Sequence, residues 1–230
     1  MLAVAPSPEQ GRALSRARIA AVLRRAGRQR NVEATPQRIQ AALRTDQLAL
    51  SPGVAAAYAA SARSLVAVIT ELAGQVEALQ GKVQAGFGQH PDAEIYRGQP
   101  GLGTILGARV LAEFGDDPTR FADAKARKNY AGTAPITKAS GTRRVVLARH
   151  ARNKRLADAL YQQAFSALSS SPGARAYYDQ RRDRGATHNQ DLRALSNRLV
   201  GILHGCLQHQ THYDETTAWA NRNDCEHAAA

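Results

Sequence analysis

Apolar residues recur along much of this chain at intervals of three and four, the period of a helix laid against a neighbour. Ser15 can cap a helix whose apolar side carries Ile19, Val22 and Leu23, with Arg24 and Arg25 in its last turn and Gly27 beyond it. Thr35-Pro36 predicts a second start, with proline at the first helical position, where its missing N–H costs nothing. Ser51-Pro52 opens a third helix in the same way. That helix is the longest, and Tyr58, Ala62, Leu65, Ile69, Leu72, Val76, Leu79 and Val83 fall along it at alternating steps of four and three. This heptad seam predicts pairing with a second helix, from this chain or another. A core helix of a bundle fits as well, because Gly74 and Gly81 weaken a free-standing coil. Gly86 and Gly88 end the pattern.

From Asp92 the texture changes to shorter helices divided by glycine and proline. A short helix around Ile95 and another through Ile105, Leu106, Val110, Leu111 and Phe114 flank Pro100-Gly101-Leu102-Gly103. A β-hairpin or extended loop is expected from Ala134 to Leu147, with Ser140-Gly141 at its turn. Asn153 can cap a helix running through Leu160 and Phe165. Ser171-Pro172 opens another that stops at Gly185, and Leu192, Leu195, Leu199, Ile202 and Cys206 mark a final long helix. Asp116-Asp117, ahead of a proline, reads as a helix cap. The expected fold is mainly α. A helical linker over 1–50 and a coiled-coil helix over 51–88 lead into a compact domain over 89–220 and a frayed tail over 221–230.

Charge sharpens the picture. The 230 residues carry a formal net charge of +12, and most of the cations are arginines. Between Lys125 and Ala157 stand Lys125, Arg127, Lys128, Lys138, Arg143, Arg144, Arg149, Arg152, Lys154 and Arg155, without one Asp or Glu. A GC-rich genome accounts for arginine over lysine but not for the missing acids. So much positive charge points to a polyanion. Scarce aromatics argue against a base-stacking single-strand binder. Two cysteines, Cys206 and Cys225, supply neither a disulfide framework nor a zinc quartet. No apolar run approaches the roughly 20 residues of a bilayer span, and the amino terminus lacks the basic start of a signal peptide, so a cytoplasmic protein without a membrane partner is expected.

Two features carry candidate chemistry. Gly101 and Gly103 would let the turn between two helices approach a phosphate, beside the positive end of the following helix, as in a helix-hairpin-helix unit; an ordinary helix–turn–helix corner is the plainer reading. Ser140 lies in Lys138-Ala139-Ser140-Gly141-Thr142-Arg143-Arg144. A serine hydroxyl needs a base, or a phosphate made electrophilic by cations, to act as nucleophile. Lys138, Arg143 and Arg144 could provide the cations, and His150 is the nearest candidate base. A plain turn serine is the alternative. Tyrosine-recombinase chemistry is disfavoured, since no histidine is followed by arginine at the required offset, and Tyr130, Tyr177 and Tyr178 read as packing residues. His204, Cys206, His209 and His212 could suggest a metal site, but Cys206 falls on an apolar stripe. No acidic cluster suited to two-metal phosphoryl transfer is present.

Several segments in order resemble one family. They are Gln99-Pro100-Gly101-Leu102-Gly103, Leu111-Ala112-Glu113-Phe114-Gly115-Asp116, Arg120-Phe121-Ala122, Asn129-Tyr130-Ala131-Gly132-Thr133-Ala134-Pro135 and Ala139-Ser140-Gly141. Arg152-Asn153-Lys154-Arg155-Leu156, Tyr177-Tyr178 and Asn197-Arg198-Leu199 continue the pattern, and Ala26-Gly27-Arg28-Gln29-Arg30-Asn31 with the heptad helix resembles what precedes it. Together these are similar to the C-terminal transposase domain of the insertion-sequence one-hundred-ten family. The resemblance implies a recombinase that pairs an acidic, metal-binding RuvC-like domain with this one, under a guide RNA bridging donor and target DNA. It implies Ser140 as the nucleophile that forms a phosphoserine link to DNA. Lys138, Arg143, Arg144, Arg149, Arg152, Lys154 and Arg155, with Gly101 and Gly103, would contact nucleic acid.

Residues 1–50 hold only Glu9, Glu33 and Asp46 as acids, so the acidic domain is expected to be absent from this chain. No cofactor is expected here, with Mg2+ belonging to that other domain, and the chain alone would be inactive. Its expected partners are DNA, a guide RNA, and a second copy or a full-length transposase joined through the coiled-coil helix. The rival readings are a non-catalytic DNA-binding module and a remnant with no selected role.

Overall fold

The computed structural model describes residues 1–31, 33–46 and 50–220, without the side chain of Arg144; the expected frayed tail lies outside the described residues. The fold is mainly α, as the periodicity predicts, with one two-stranded antiparallel sheet among the described residues. The chain divides into two compact units, Met1–Leu79 and Gln80–Ala230.

The first unit begins with α1 (Pro8–Arg12), α2 (Arg16–Arg25) and α3 (Ala34–Leu43). Ser15 caps α2 as expected, its Oγ accepting from the Arg18 N–H at 3.3 Å. The start of α3 differs from the prediction: the helix opens at Ala34, one residue before Thr35, and Glu33 at its cap makes no side-chain cap bond. Pro36 thus falls in the first turn, where its missing N–H still has no helical partner to lose. Gln40 ties the helices together, its buried amide donating to the Leu14 carbonyl at 2.9 Å and accepting from Arg16 Nε at 3.0 Å.

The long helix α4 runs from Pro52 to Gly88, starting and stopping where Ser51-Pro52 and the glycine pair predict. Its seam residues Tyr58, Leu65, Ile69, Leu72, Val76, Leu79 and Val83 stand exposed. An 18-residue window of α4 has mean hydropathy 1.4, so by length and composition alone this helix could cross a membrane. That corrects the expectation of no such run. Only Arg63 is charged between Val54 and Thr70, and the many alanines there lift the mean without forming a run of large apolar side chains.

The second unit contains α5 (Ala93–Arg97), α6 (Thr104–Phe114), α7 (Ala124–Ala131), β1 (Ile136–Ser140), β2 (Arg143–Leu147), α8 (Lys154–Ser170), α9 (Pro172–Asp183), α10 (His188–His209) and α11 (Glu215–Trp219). Its core follows α10, on which Leu192, Leu195, Leu199, Val200 and Leu203 are fully buried. Tyr96, Val110, Phe114, Leu156 and Leu160 continue one cluster, and Ala164, Ala167, Ala174 and Trp219 another. Each buried leucine contributes on the order of 1.5–3 kcal/mol.

Helix caps mostly fall where the sequence places them. Asn153 accepts from the Arg155 and Leu156 N–H groups, and Ser171 accepts from Ala174 N. Asp116-Asp117 is an exception. Asp117 accepts from Thr119 N and Oγ1, holding a turn rather than a helix start, and Asp123 caps α7 through Ala126 N at 2.6 Å. Tyr130 and Tyr177 do pack, against Phe114 and Phe121 and against Trp219 respectively.

The turn between α5 and α6 seats on α8 through Gly101. Its φ is +77°, and a Cβ there would collide with the Gln163 carbonyl oxygen and lie 2.8 Å from Ala167 N. Gln163 also donates from Nε2 to the Pro100 carbonyl at 3.3 Å. Gly103 faces open space. Gly101→Ala should lower stability by about 1–3 kcal/mol through backbone overpacking and positive-φ strain. Chemical denaturation checks this, and an unchanged midpoint would contradict the packing role.

Candidate nucleic-acid interface

Two features of helix-ending chemistry set the base of the hairpin. Gly132 ends α7 in the left-handed conformation, φ +71°, and its missing Cβ leaves room for the Arg152 stem. Thr133 follows, with its N–H donating to the Lys128 carbonyl at 3.1 Å and its Oγ1 bonded to Asn197 Oδ1 at 3.2 Å. On the far side, the Asn153 cap fixes the start of α8. Both hairpin ends are therefore held.

The strands pair in register Ile136–Leu147, Thr137–Val146, Lys138–Val145, Ala139–Arg144 and Ser140–Arg143. Gly141 and Thr142 form the two-residue turn, and Gly141 takes φ +54° with nothing within 4 Å of an added Cβ. Glycine first, with positive φ there alone, is the sign pattern of a type II′ turn, which matches strand twist. Ser140 is thus the last strand residue rather than part of the turn. It is exposed and opposite Arg143. Residues two apart share a strand face, so Lys138, Ser140 and Arg143 lie on one face with Ile136, Val145 and Leu147. Arg144 pairs with Ala139 along the backbone, but its side chain lies outside the described residues.

The remaining predicted cations divide. Lys125, Lys138, Arg143, Arg152 and Lys154 are exposed and form no ion pair among the described residues. Arg149 is half-buried, donating from Nη2 to Asn129 Oδ1 at 3.2 Å. Arg155 is exposed but paired, its Nε 2.7 Å from Glu113 Oε1. The same Glu113 accepts from Asn153 Nδ2. Arg127 is buried at 5% exposure, with its guanidinium over the Phe114 and Phe121 rings at 5.0 and 4.8 Å. Burial lowers its pKa, and burial pushes the adjoining Tyr96 hydroxyl up to about 12. The acid-free tract therefore exposes less free charge than its composition suggests, because Glu113 reaches it from α6 and the core takes Arg127.

Sequence reasoning missed a cleft of about 440 Å3 at the base of the hairpin, where Arg152 and Lys154 meet Arg193, Asn189, Tyr161 and Thr133. Arg193 follows the buried Leu192 on α10, and being polar beside the apolar stripe was its only sequence signal. Asp158 also lines this cleft, but it pairs with Arg109 Nη2 at 2.9 Å. Of the possible metal ligands, Cys206 is buried in the core. Among the described residues no three His, Cys, Asp or Glu side chains are grouped to hold a metal ion.

A mainly helical unit with an exposed basic hairpin defines a candidate nucleic-acid-processing domain. Residues 93–179, which include the hairpin, match the Transposase IS116/IS110/IS902 family. The chain is 41% identical over 220 residues to the mini-circle IS117 protein of Streptomyces coelicolor, covering 96% of itself and 53% of that relative. It is 33% identical over 218 residues to the insertion element IS900 42 kDa protein of Mycobacterium paratuberculosis, covering 93% of itself and 53% of that relative. Along nearly its whole length the chain is thus similar to transposases of the IS116/IS110/IS902 family. It spans about half the length of the curated relatives it matches.

Near the end of the unit, α11 is fixed by charge. Asp214 caps it, accepting from Thr217 N at 2.7 Å and Thr216 Oγ1 at 2.6 Å, and the threonine bonds hold its pKa down to about 2. A depressed carboxylate stabilises the fold above its unfolded value and loses that contribution as pH falls through the folded one. Docking of α11 should therefore weaken between about pH 4 and 2. The emission of Trp219, the single tryptophan, reports it. Asp214→Asn keeps a capping oxygen without the charge and should flatten that part of the transition; an identical acid transition in the variant would contradict the assignment.

Proposed function

We propose that this chain acts in DNA transposition, with the hairpin face binding nucleic-acid backbone and Ser140 as the nucleophile that forms a phosphoserine–DNA link. The observation that carries the reading is the placement of Ser140. It stands exposed at a strand end opposite Arg143, on the face that carries Lys138, within a segment matching a transposase family. In the reaction the Ser140 oxygen attacks phosphorus, its proton passes to a base, and the displaced deoxyribose oxygen leaves with a proton. Arg143 and Lys138 neutralise charge gathering on the phosphate oxygens.

Arg149, Arg152, Lys154 and the Arg193 cleft extend the positive face along the hairpin base, where a backbone would run. Arg155 contributes through its exposed stem, with its charge shared with Glu113. Gly101 supports the domain by seating the α5–α6 turn on α8, leaving Gly103 as the part of that turn open to a backbone. A guide RNA would use the same phosphate chemistry. A metal, where the reaction needs one, would be held by carboxylates of an acidic-domain partner rather than by this chain. These partners fit a cytoplasmic setting.

Binding should weaken steeply with salt, with a log–log slope of about −0.9 per phosphate contact on duplex DNA. Ser140→Ala removes one oxygen and no charge, so it should leave that slope unchanged while abolishing any trapped protein–DNA adduct formed with an acidic-domain partner in trans, guide RNA and Mg2+. Mass spectrometry locates the bond. An adduct on Tyr130, or one that survives in Ser140→Ala, rules the serine out.

The exposed seam of α4 favours a second helix from another copy as its partner. Ile69→Asp with Val76→Asp places two charges on it and should convert a dimer to a monomer in sedimentation. A wild-type monomer, or an unchanged mass in the variant, would remove the pairing.

A further inference from the structure

Helices α7, α10 and α11 line an open cleft of about 630 Å3 that the hairpin chemistry does not use. That volume lies within the roughly 300–1,000 Å3 of small-molecule sites. Two cations, Lys128 from α7 and Arg198 from α10, line it together. Neither forms an ion pair among the described residues. Lys128 reaches over α10 at Gly201, where a Cβ would lie 2.8 Å from its Nζ. Arg198 is held over the Trp219 ring at 5.3 Å and donates from Nη2 to the Ala218 carbonyl at 2.9 Å, while its buried Nε has no partner.

The two cations disfavour each other. Burial lowers the Lys128 pKa first, and the nearby Arg198 charge lowers it further. The carboxylate lining the cavity belongs to Asp214, whose Oδ1 is committed to Thr216 and Thr217. Asp214 keeps its charge but pairs with neither Lys128 nor Arg198 among the described residues, so the two cations repel each other unpaired, an arrangement that a bound anion relieves. His209 and His212 stand on the same wall and can donate to an oxyanion. Ile202, Ala124 and Ala218 give it an apolar side, and Gly205 leaves its floor open, with nothing within 4 Å of an added Cβ.

We infer that this cavity binds the phosphate of a nucleotide, bridged between Lys128 and Arg198, with the sugar or base against the apolar wall. Arg198 offers directional donors and Lys128 a point charge, the pairing that phosphate oxygens accept best. The nucleotide is either free or one unit of a strand. The assignment goes beyond the proposed transposition chemistry and uses neither Ser140 nor the hairpin.

Trp219 provides the readout, because Arg198 stacks on it and the chain has one tryptophan. The full chain is titrated at fixed ionic strength with inorganic phosphate, adenosine 5′-monophosphate and a short single-stranded oligonucleotide. A saturable change in emission with all three is expected. Roughly tenfold tighter binding of the monophosphate than of the oligonucleotide assigns a free nucleotide, and the reverse order assigns a strand. Lys128→Gln should weaken the response roughly tenfold with unchanged circular dichroism. Gly205→Leu fills the cavity while keeping both cations, and should weaken it too, which covers a Lys128 variant that misfolds. Arg143→Gln should keep the monophosphate response even where DNA binding falls, separating this site from the hairpin. No saturable response in the wild type, full response in both cavity variants, or loss in Arg143→Gln would overturn the assignment.

Discussion

The attachment of the α8 N-terminus to α6 decides what the rest of the second unit can present. Asn153 caps α8 with its oxygen and donates from its nitrogen to Glu113, while Arg155 Nε meets the same carboxylate at 2.7 Å. Arg109, one turn earlier on α6, bonds both the Arg155 carbonyl at 3.0 Å and Asp158 at 2.9 Å. Exposed ion pairs are individually weak, but here charge-assisted bonds converge on a largely buried Glu113 and on backbone. They fix where the chain leaves the hairpin. Gly132, by admitting the Arg152 stem, fixes where it enters. A two-stranded ribbon is marginal on its own, and the clamp at its base lets it project with an exposed tip.

That arrangement separates two kinds of cation. Those that hold the fold together, Arg109, Arg127 and Arg155, are paired or stacked on aromatic rings. Those left free, Lys138, Arg143, Arg152 and Lys154, stand on the hairpin and the helix start beside it. Lys128 and Arg198 form a third pair, facing a cleft between α7, α10 and α11 rather than the hairpin. Net charge alone does not distinguish these roles, and burial with partner identity does.

Most helices were legible because their signals are local. Ser15, Asn153 and Ser171 mark their boundaries through bonds made within three residues, and the Ser51-Pro52 step marks its own through the fixed φ of proline at the first helical position. The stripe of α10 follows from period, and Gly141 located the hairpin turn to within one residue, since Ser140 pairs with Arg143 as the last strand residue. What sequence could not reveal depends on distant partners. Glu113 lies some forty residues from the Arg155 that it neutralises, and Arg127 looks like part of a surface tract until the Phe114 and Phe121 rings close over it. Asp117 has the composition of a helix cap, but its carboxylate closes on Thr119 instead. Gly101 was legible as a place of close approach, although its neighbour in the structure is the α8 backbone.

The central claim is that the free cations of the hairpin and α8 start are the ones that meet nucleic-acid phosphates. Lysine acetylation of the full chain, with and without a short DNA duplex at low salt, tests it residue by residue. Read by mass spectrometry, Lys138 and Lys154 should be protected by the duplex, while Lys82 on α4 should react equally in both states. Unchanged reactivity at Lys138 and Lys154 under conditions where the duplex is bound would contradict the account.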